Sequence, residues 1–141
     1  MTKFQRYKIM ADDGVVYAQN IVGLLYEEGI EVQKDLDEAF KFYSLAANKG
    51  LIKAQFNLAL CYKNSKGCKQ DYKKAIDLFT LASQENHNRS LYHLGNIYES
   101  GFGVEIDVKK AYMYYENSAR NGYKPAYQKL KLFYIKNNPL L

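Results

Sequence analysis

The side chains best equipped for chemistry in this sequence are two cysteines, two histidines, a pair of glycines and a cluster of lysines. Cys61 and Cys68 stand seven residues apart, a spacing that could suit thiol redox work or half of a zinc site. A structural zinc takes four ligands, and no further Cys or His stands where it would supply them. Both cysteines fall at places that equivalent segments fill with apolar residues, so they read as small hydrophobes. His87 reads as a turn residue and His93 as an exposed one, with no third ligand and no nucleophile at a telling distance. Gly101-Phe102-Gly103 resembles part of a phosphate loop, but such a loop follows a strand and opens a helix with Lys and Ser or Thr behind it. Here it separates two helical patterns and reads as a turn. Lys66, Lys69, Lys73 and Lys74 form a basic stripe in a chain with 14 Tyr and 7 Phe, the ingredients of a nucleic-acid surface. These residues give the expectation of no catalytic group, no metal and no cofactor.

Composition narrows the classes further. With 141 residues, 48% hydrophobic and 25% charged, the chain is long and apolar enough for one folded domain. A net charge of +5 favours solubility and is too mild to announce nucleic acid. The charge is also uneven, with 4 basic and 6 acidic residues in 18–53 against 6 and 3 in 54–89. The longest uncharged run, Gly14 to Tyr26, has 13 residues, short of the roughly 20 that span a bilayer. The first residues, Met1-Thr2-Lys3-Phe4-Gln5-Arg6, lack an apolar export segment, and two cysteines fit a reducing compartment. The expected location is the cytoplasm, with export by a route that needs no cleaved signal left open.

What must position these residues is an internal repeat of 36. Ala18, Ala54, Ser90 and Ala126 are spaced by it, as are Val22, Leu58, Leu94 and Leu130, and Tyr26, Tyr62, Tyr98 and Tyr134. Asp35, Asp71 and Asp107 follow, then Ala39, Ala75 and Ala111, then Tyr43, Phe79 and Tyr115. Gly14, Gly50 and Gly122 close successive units, with Asn86 at the intervening place. Within a unit, Ala18, Val22, Leu25 and Tyr26 trace one stripe of a 3.6-residue period, and Ala39, Phe42, Tyr43 and Ala46 trace a second. Asp35 before Glu38 has the form of a capping box. Each unit is therefore a helical hairpin, with small residues at the close helix contact and aromatic ones filling the gap between hairpins. The units run 18–53, 54–89 and 90–125, preceded by a half-unit (1–17) and followed by a capping helix (126–141). Lys3, Arg6 and Lys131 sit in columns that are apolar or small elsewhere, as polar end caps require. Eight helices in a single all-α solenoid are expected.

These columns resemble the Sel1-like repeat, a relative of the tetratricopeptide repeat. The third unit carries Leu94-Gly95, Tyr98, Gly101-Phe102-Gly103-Val104, Asp107, Lys110-Ala111, Tyr114-Tyr115, Ala119 and Gly122. The first carries Ala18, Val22-Gly23, Tyr26, Gly29, Val32, Asp35, Ala39, Phe42-Tyr43, Ala46-Ala47 and Gly50, while the second departs at Ala59, Ser65, Cys68 and Asn86. The resemblance implies a right-handed α/α superhelix that acts as a scaffold or adaptor, binding proteins on its concave face without catalysis. Its cysteine-rich branch bridges every unit with a disulfide, which one cysteine pair does not fit.

A recognition surface is sought where equivalent positions differ between units. On the first helices these are Tyr17, Asn20, Leu24 and Glu27; then Lys53, Phe56, Leu60 and Lys63; then Arg89, Tyr92, Asn96 and Glu99. Leu24, Leu60, Phe56 and Tyr92 would be apolar anchors among charges, although Leu24 and Leu60 could equally widen the core stripe. The expected partner is a protein or peptide, with no membrane, no nucleic acid and a monomeric chain. Two other classes compete: a lactamase-type hydrolase, which needs a nucleophile beside a base, and a basic helical repeat for nucleic acid. RNA-reading repeats take about one base each, so three units would read little.

Overall fold

The computed structural model describes residues 1–137. Among them eight helices follow one another without a strand: α1 (Lys3–Asp12), α2 (Val16–Glu28), α3 (Leu36–Asn48), α4 (Ile52–Asn64), α5 (Tyr72–Ser83), α6 (Asn88–Ser100), α7 (Val108–Arg120) and α8 (Lys124–Asn137). The all-α class and the helical pairing agree with the sequence reading. Helices α2, α4 and α6 start at Val16, Ile52 and Asn88, two residues ahead of the unit starts at 18, 54 and 90. The last residues of the expected capping helix, 138–141, lie outside the described residues.

The period has a physical basis in the turns. The Asp35, Asp71 and Asp107 carboxylates accept from the backbone N–H groups of Glu38, Lys74 and Lys110 at 3.1, 3.0 and 3.0 Å, capping α3, α5 and α7. The N–H groups of those same aspartates donate to the carbonyls of Tyr26, Tyr62 and Tyr98 at 3.0, 2.9 and 2.9 Å, so each cap is tied back to the preceding helix. A closed capping box is found at Thr2 and Gln5 on α1. First helices end on a left-handed residue, Gly29, Ser65 or Gly101.

By its contacts the chain divides into Met1–Leu78 and a second unit that begins at Phe79. In the first unit Ala11, Ala18, Val22 and Phe42 form one buried cluster, and Ala39, Tyr43, Ala46, Leu58 and Cys61 belong to another. In the second unit Ala111, Tyr115 and Leu130 are buried together. Small residues are required at the hairpin contact. A Cβ on Gly23 would lie 2.6 Å from the Tyr43 ring, and one on Gly95 would lie 2.4 Å from the Tyr115 ring. Both rings rest on the glycine of their own hairpin, and Tyr43 also shares a buried cluster with Leu58 and Cys61 of the next, as expected of an aromatic column between hairpins. Lys3, Arg6 and Lys131 are exposed, as expected of end positions.

Candidate functional site

Variation between units points to side chains on the first helices, and the two units treat them differently. In the first unit Tyr17 is 53% exposed and Leu24 is 39% exposed. They line a cavity of about 640 Å³ together with Asn20, Ile21, Leu51, Ile52 and Lys53. Four expected residues, Tyr17, Asn20, Leu24 and Lys53, are thus brought together. Ile21, Leu51 and Ile52 were missed, although the same criterion could have found them: the column of Ile52 continues as Asn88 and Lys124. Asn20 is largely buried, and its Oδ1 accepts from Asn57 Nδ2 at 3.0 Å, clasping α2 to α4 at the floor of this cavity.

Phe56 requires correction. Expected as an exposed anchor, it is only 4% exposed, and its large apolar ring follows the hydrophobic drive into the core rather than the variability of its column. Leu60 and Lys63 are half-buried, and burial pulls the Lys63 pKa down. Glu27 is not a free recognition charge. Lys66 Nζ lies 2.7 Å from its Oε1, and the Tyr43 hydroxyl donates to its Oε2 at 2.5 Å. Burial alone would raise the Glu27 pKa; the ammonium and the phenol outweigh it and hold the pKa below the ordinary carboxylate value.

In the second unit Arg89 is exposed while Tyr92 is half-buried, its ring 5.5 Å from that of Tyr115 and 5.2 Å from that of Tyr123. Asn96 Oδ1 accepts from the Tyr115 hydroxyl at 2.7 Å. The single Tyr115 hydrogen is shared between Asn96 and Glu99 Oε1, which lies 3.0 Å away, and Glu99 also accepts from Tyr112 at 3.1 Å and from Lys129 at 2.7 Å. Here too burial pushes the carboxyl pKa up and the donors, Lys129 foremost, bring it below normal. A cavity of about 400 Å³ borders Glu99, Tyr112, Lys129 and Phe133.

The reactive side chains are accounted for by packing. Cys61 is buried and Cys68 half-buried, both as free thiols, with Cys68 Sγ donating to the Cys61 carbonyl at 3.5 Å. Burial pushes the Cys61 thiol up to about 12, away from the thiolate a nucleophile needs. His87 caps α6, its side chain accepting from the Ser90 N–H. His93, expected at the surface, is half-buried with its ring stacked on Phe79 at 5.2 Å, because a flat imidazole can cover an aromatic face. In the basic stripe, Lys66 is paired with Glu27 and Lys74 lies 5.3 Å from the centre of the Tyr62 ring. No helix among the described residues is long and apolar enough to cross a membrane.

Tandem helical hairpins with glycine-on-tyrosine contacts and aspartate caps define a helical-repeat protein. The chain matches the Sel1 repeat at residues 16–51, 52–87 and 88–123, and it belongs to the Sel1 repeat family, whose members are generally protein-interaction scaffolds. Among solved structures it is similar to a Sel1 repeat protein from Oxalobacter formigenes, with 35% identity and a TM-score of 0.82 over 88% of this chain and 51% of that one. It is also similar to c5321, a protective antigen present in uropathogenic Escherichia coli strains displaying an SLR fold. The identity is 30% and the TM-score 0.88, over 93% of this chain and 28% of that one. The chain therefore spans about half the length of the first protein and less of the second. Helicobacter pylori cysteine rich protein B shares the fold, with 24% identity and a TM-score of 0.69 over 89% of this chain and 95% of that one. No curated protein matches the chain.

Proposed function

We propose that this chain is a non-enzymatic scaffold that binds a peptide or protein segment on the face presented by its first helices, the concave side of a hairpin solenoid. The observation that carries the reading is the groove at Tyr17 and Leu24. There the exposed Tyr17 and Leu24 stand beside Lys53 over a floor of Ile21, Leu51 and Ile52 with the buried Asn20, the mixture of apolar anchor and polar rim that interfaces use. Membership of a family of interaction scaffolds supports it. The test is selection of a random peptide display library on the immobilised full chain. Enriched peptides are expected to bind at least about tenfold more weakly to the Tyr17→Ser, Leu24→Ser double variant, roughly 1.4 kcal/mol, with helicity unchanged. Enriched peptides indifferent to that variant would rule the face out.

A further inference from the structure

Resting on the peptide-binding reading above, we propose that the first unit takes an acidic peptide segment with apolar anchors, laid across α1, α2 and the start of α4. The argument is one of continuity and charge. A second cavity of about 400 Å³ is lined by Lys3, Arg6, Tyr7, Met10 and Tyr17. Tyr17 also lines the cavity at Leu24, so the two openings are neighbours that share this side chain. The combined lining holds three cations, Lys3, Arg6 and Lys53, and no carboxylate. This is segregation rather than general basicity, since residues 18–53 carry 6 acidic against 4 basic side chains.

Three other cations of the same unit are held in ion pairs, whereas among the described residues Lys34, Lys69 and Lys73, which line neither cavity, are not. Lys8 pairs with Asp12 at 2.8 Å, Lys41 with Glu38 at 3.9 Å and Lys66 with Glu27 at 2.7 Å. Among the described residues, Lys3, Arg6 and Lys53 make no ion pair, and all three are exposed. Their charge is directed at whatever enters the groove. The surface between them is largely apolar, from Met10, Ile21, Leu24 and Leu51 with the rings of Tyr7 and Tyr17, and Asn20 is its buried polar member. Such a surface suits leucine-like anchors; Tyr7 and Tyr17 offer rings for stacking, but single-stranded nucleic acid calls for a longer track of phosphate contacts than three cations supply. The chemistry that fits is a strip of carboxylates flanking one or two large apolar side chains.

The test uses the full chain and four labelled probes of equal length, read by fluorescence anisotropy. These are a Glu/Asp peptide with two leucines, the same peptide with lysines for the acids, the acidic peptide with serines for the leucines, and oligouridine. The acidic leucine peptide is expected to bind at least about tenfold tighter than each of the others, and to weaken with added salt. The Lys3→Glu, Arg6→Glu, Lys53→Glu variant should lose about tenfold for that peptide and gain affinity for the lysine version. All three positions are exposed, and circular dichroism verifies that helicity is kept. Equal binding of the lysine peptide, indifference to charge reversal, or preferential binding of oligouridine would overturn the proposal. Neutral or basic display-selected peptides that still depend on Tyr17 and Leu24 would defeat this inference alone. If no enriched peptide depends on those residues, the scaffold reading falls with it.

Discussion

Glu27 in the first unit and Glu99 in the second hold the same repeat position, and each is a half-buried carboxylate bonded to the tyrosine of its own hairpin, Tyr43 or Tyr115. Their cations come from different places. Lys66 reaches Glu27 from the turn after α4, whereas Lys129 reaches Glu99 from within α8. The second site also has a spare hydroxyl in Tyr112 and an extra acceptor in Asn96. The contrast teaches that the repeat preserves a bond between a carboxylate and a phenol, and recruits the neutralising charge from whatever lies near. The middle repeat agrees at the level of sequence: its equivalent columns hold Lys63 and Phe79, so acid and hydroxyl are absent together.

Gly95→Val and Gly23→Val should give the largest effects and test whether the two hairpins share one geometry. Each places a side chain against a tyrosine ring that is 0% exposed and has no room to move. A loss of about 3 kcal/mol is expected at either site, measured by denaturant unfolding. A mild effect at one of them would show that the hairpins are not equivalent. Deleting the hydroxyls separates the sites next. Tyr43→Phe removes the only phenol on Glu27 among the described residues and should cost about 2 kcal/mol, while Tyr115→Phe leaves Tyr112 on Glu99 and should cost about 1. Equal losses would deny the redundancy of the second site.

Acid unfolding sharpens the comparison further. Both carboxyls have folded pKa values below their ordinary ones. Their contribution is therefore complete above the unfolded carboxylate pKa and disappears as pH falls through the depressed value. Lys66→Met should raise the Glu27 pKa and move the acid midpoint upward. Lys129→Met should move it less, because the Tyr112 hydroxyl and the shared Tyr115 hydroxyl still solvate Glu99. A larger shift for Lys129→Met would reverse the assignment of strength.

The repeat was legible because its columns record helix contacts: Gly23 and Gly95 are small because a tyrosine lies on each, and Asp35, Asp71 and Asp107 recur because each closes the same turn. The candidate surface was read less well, for an equally physical reason. Variation between units identifies positions freed from the repeat's own packing, yet such positions are also where local compensations are written. Asn20, Asn96, Glu27 and Glu99 vary because each answers a particular neighbour, Asn57, Tyr115, Lys66 or Lys129. Phe56 varies and is buried. Tyr17, Leu24 and Lys53, by contrast, stand open around a cavity.

The smallest expected effect concerns how first helices end. Ser65 in the first unit and Gly101 in the second are equivalent C-caps with φ of +57° and +74°. At Gly101 a Cβ would lie 2.8 Å from Cγ1 of the exposed Ile106, which would have to move aside, so glycine is favoured by conformation first and by space second. At Ser65 a side chain is accommodated, and its Oγ donates to the Cys68 carbonyl at 2.9 Å, bracing the turn. Ser65→Gly relieves about 1 kcal/mol of left-handed strain and gives up a hydrogen bond of similar size. The net change in unfolding free energy should stay within about 0.5 kcal/mol. A gain well beyond that would mean the serine bond contributes nothing, and that the two caps differ only in how much strain the turn tolerates.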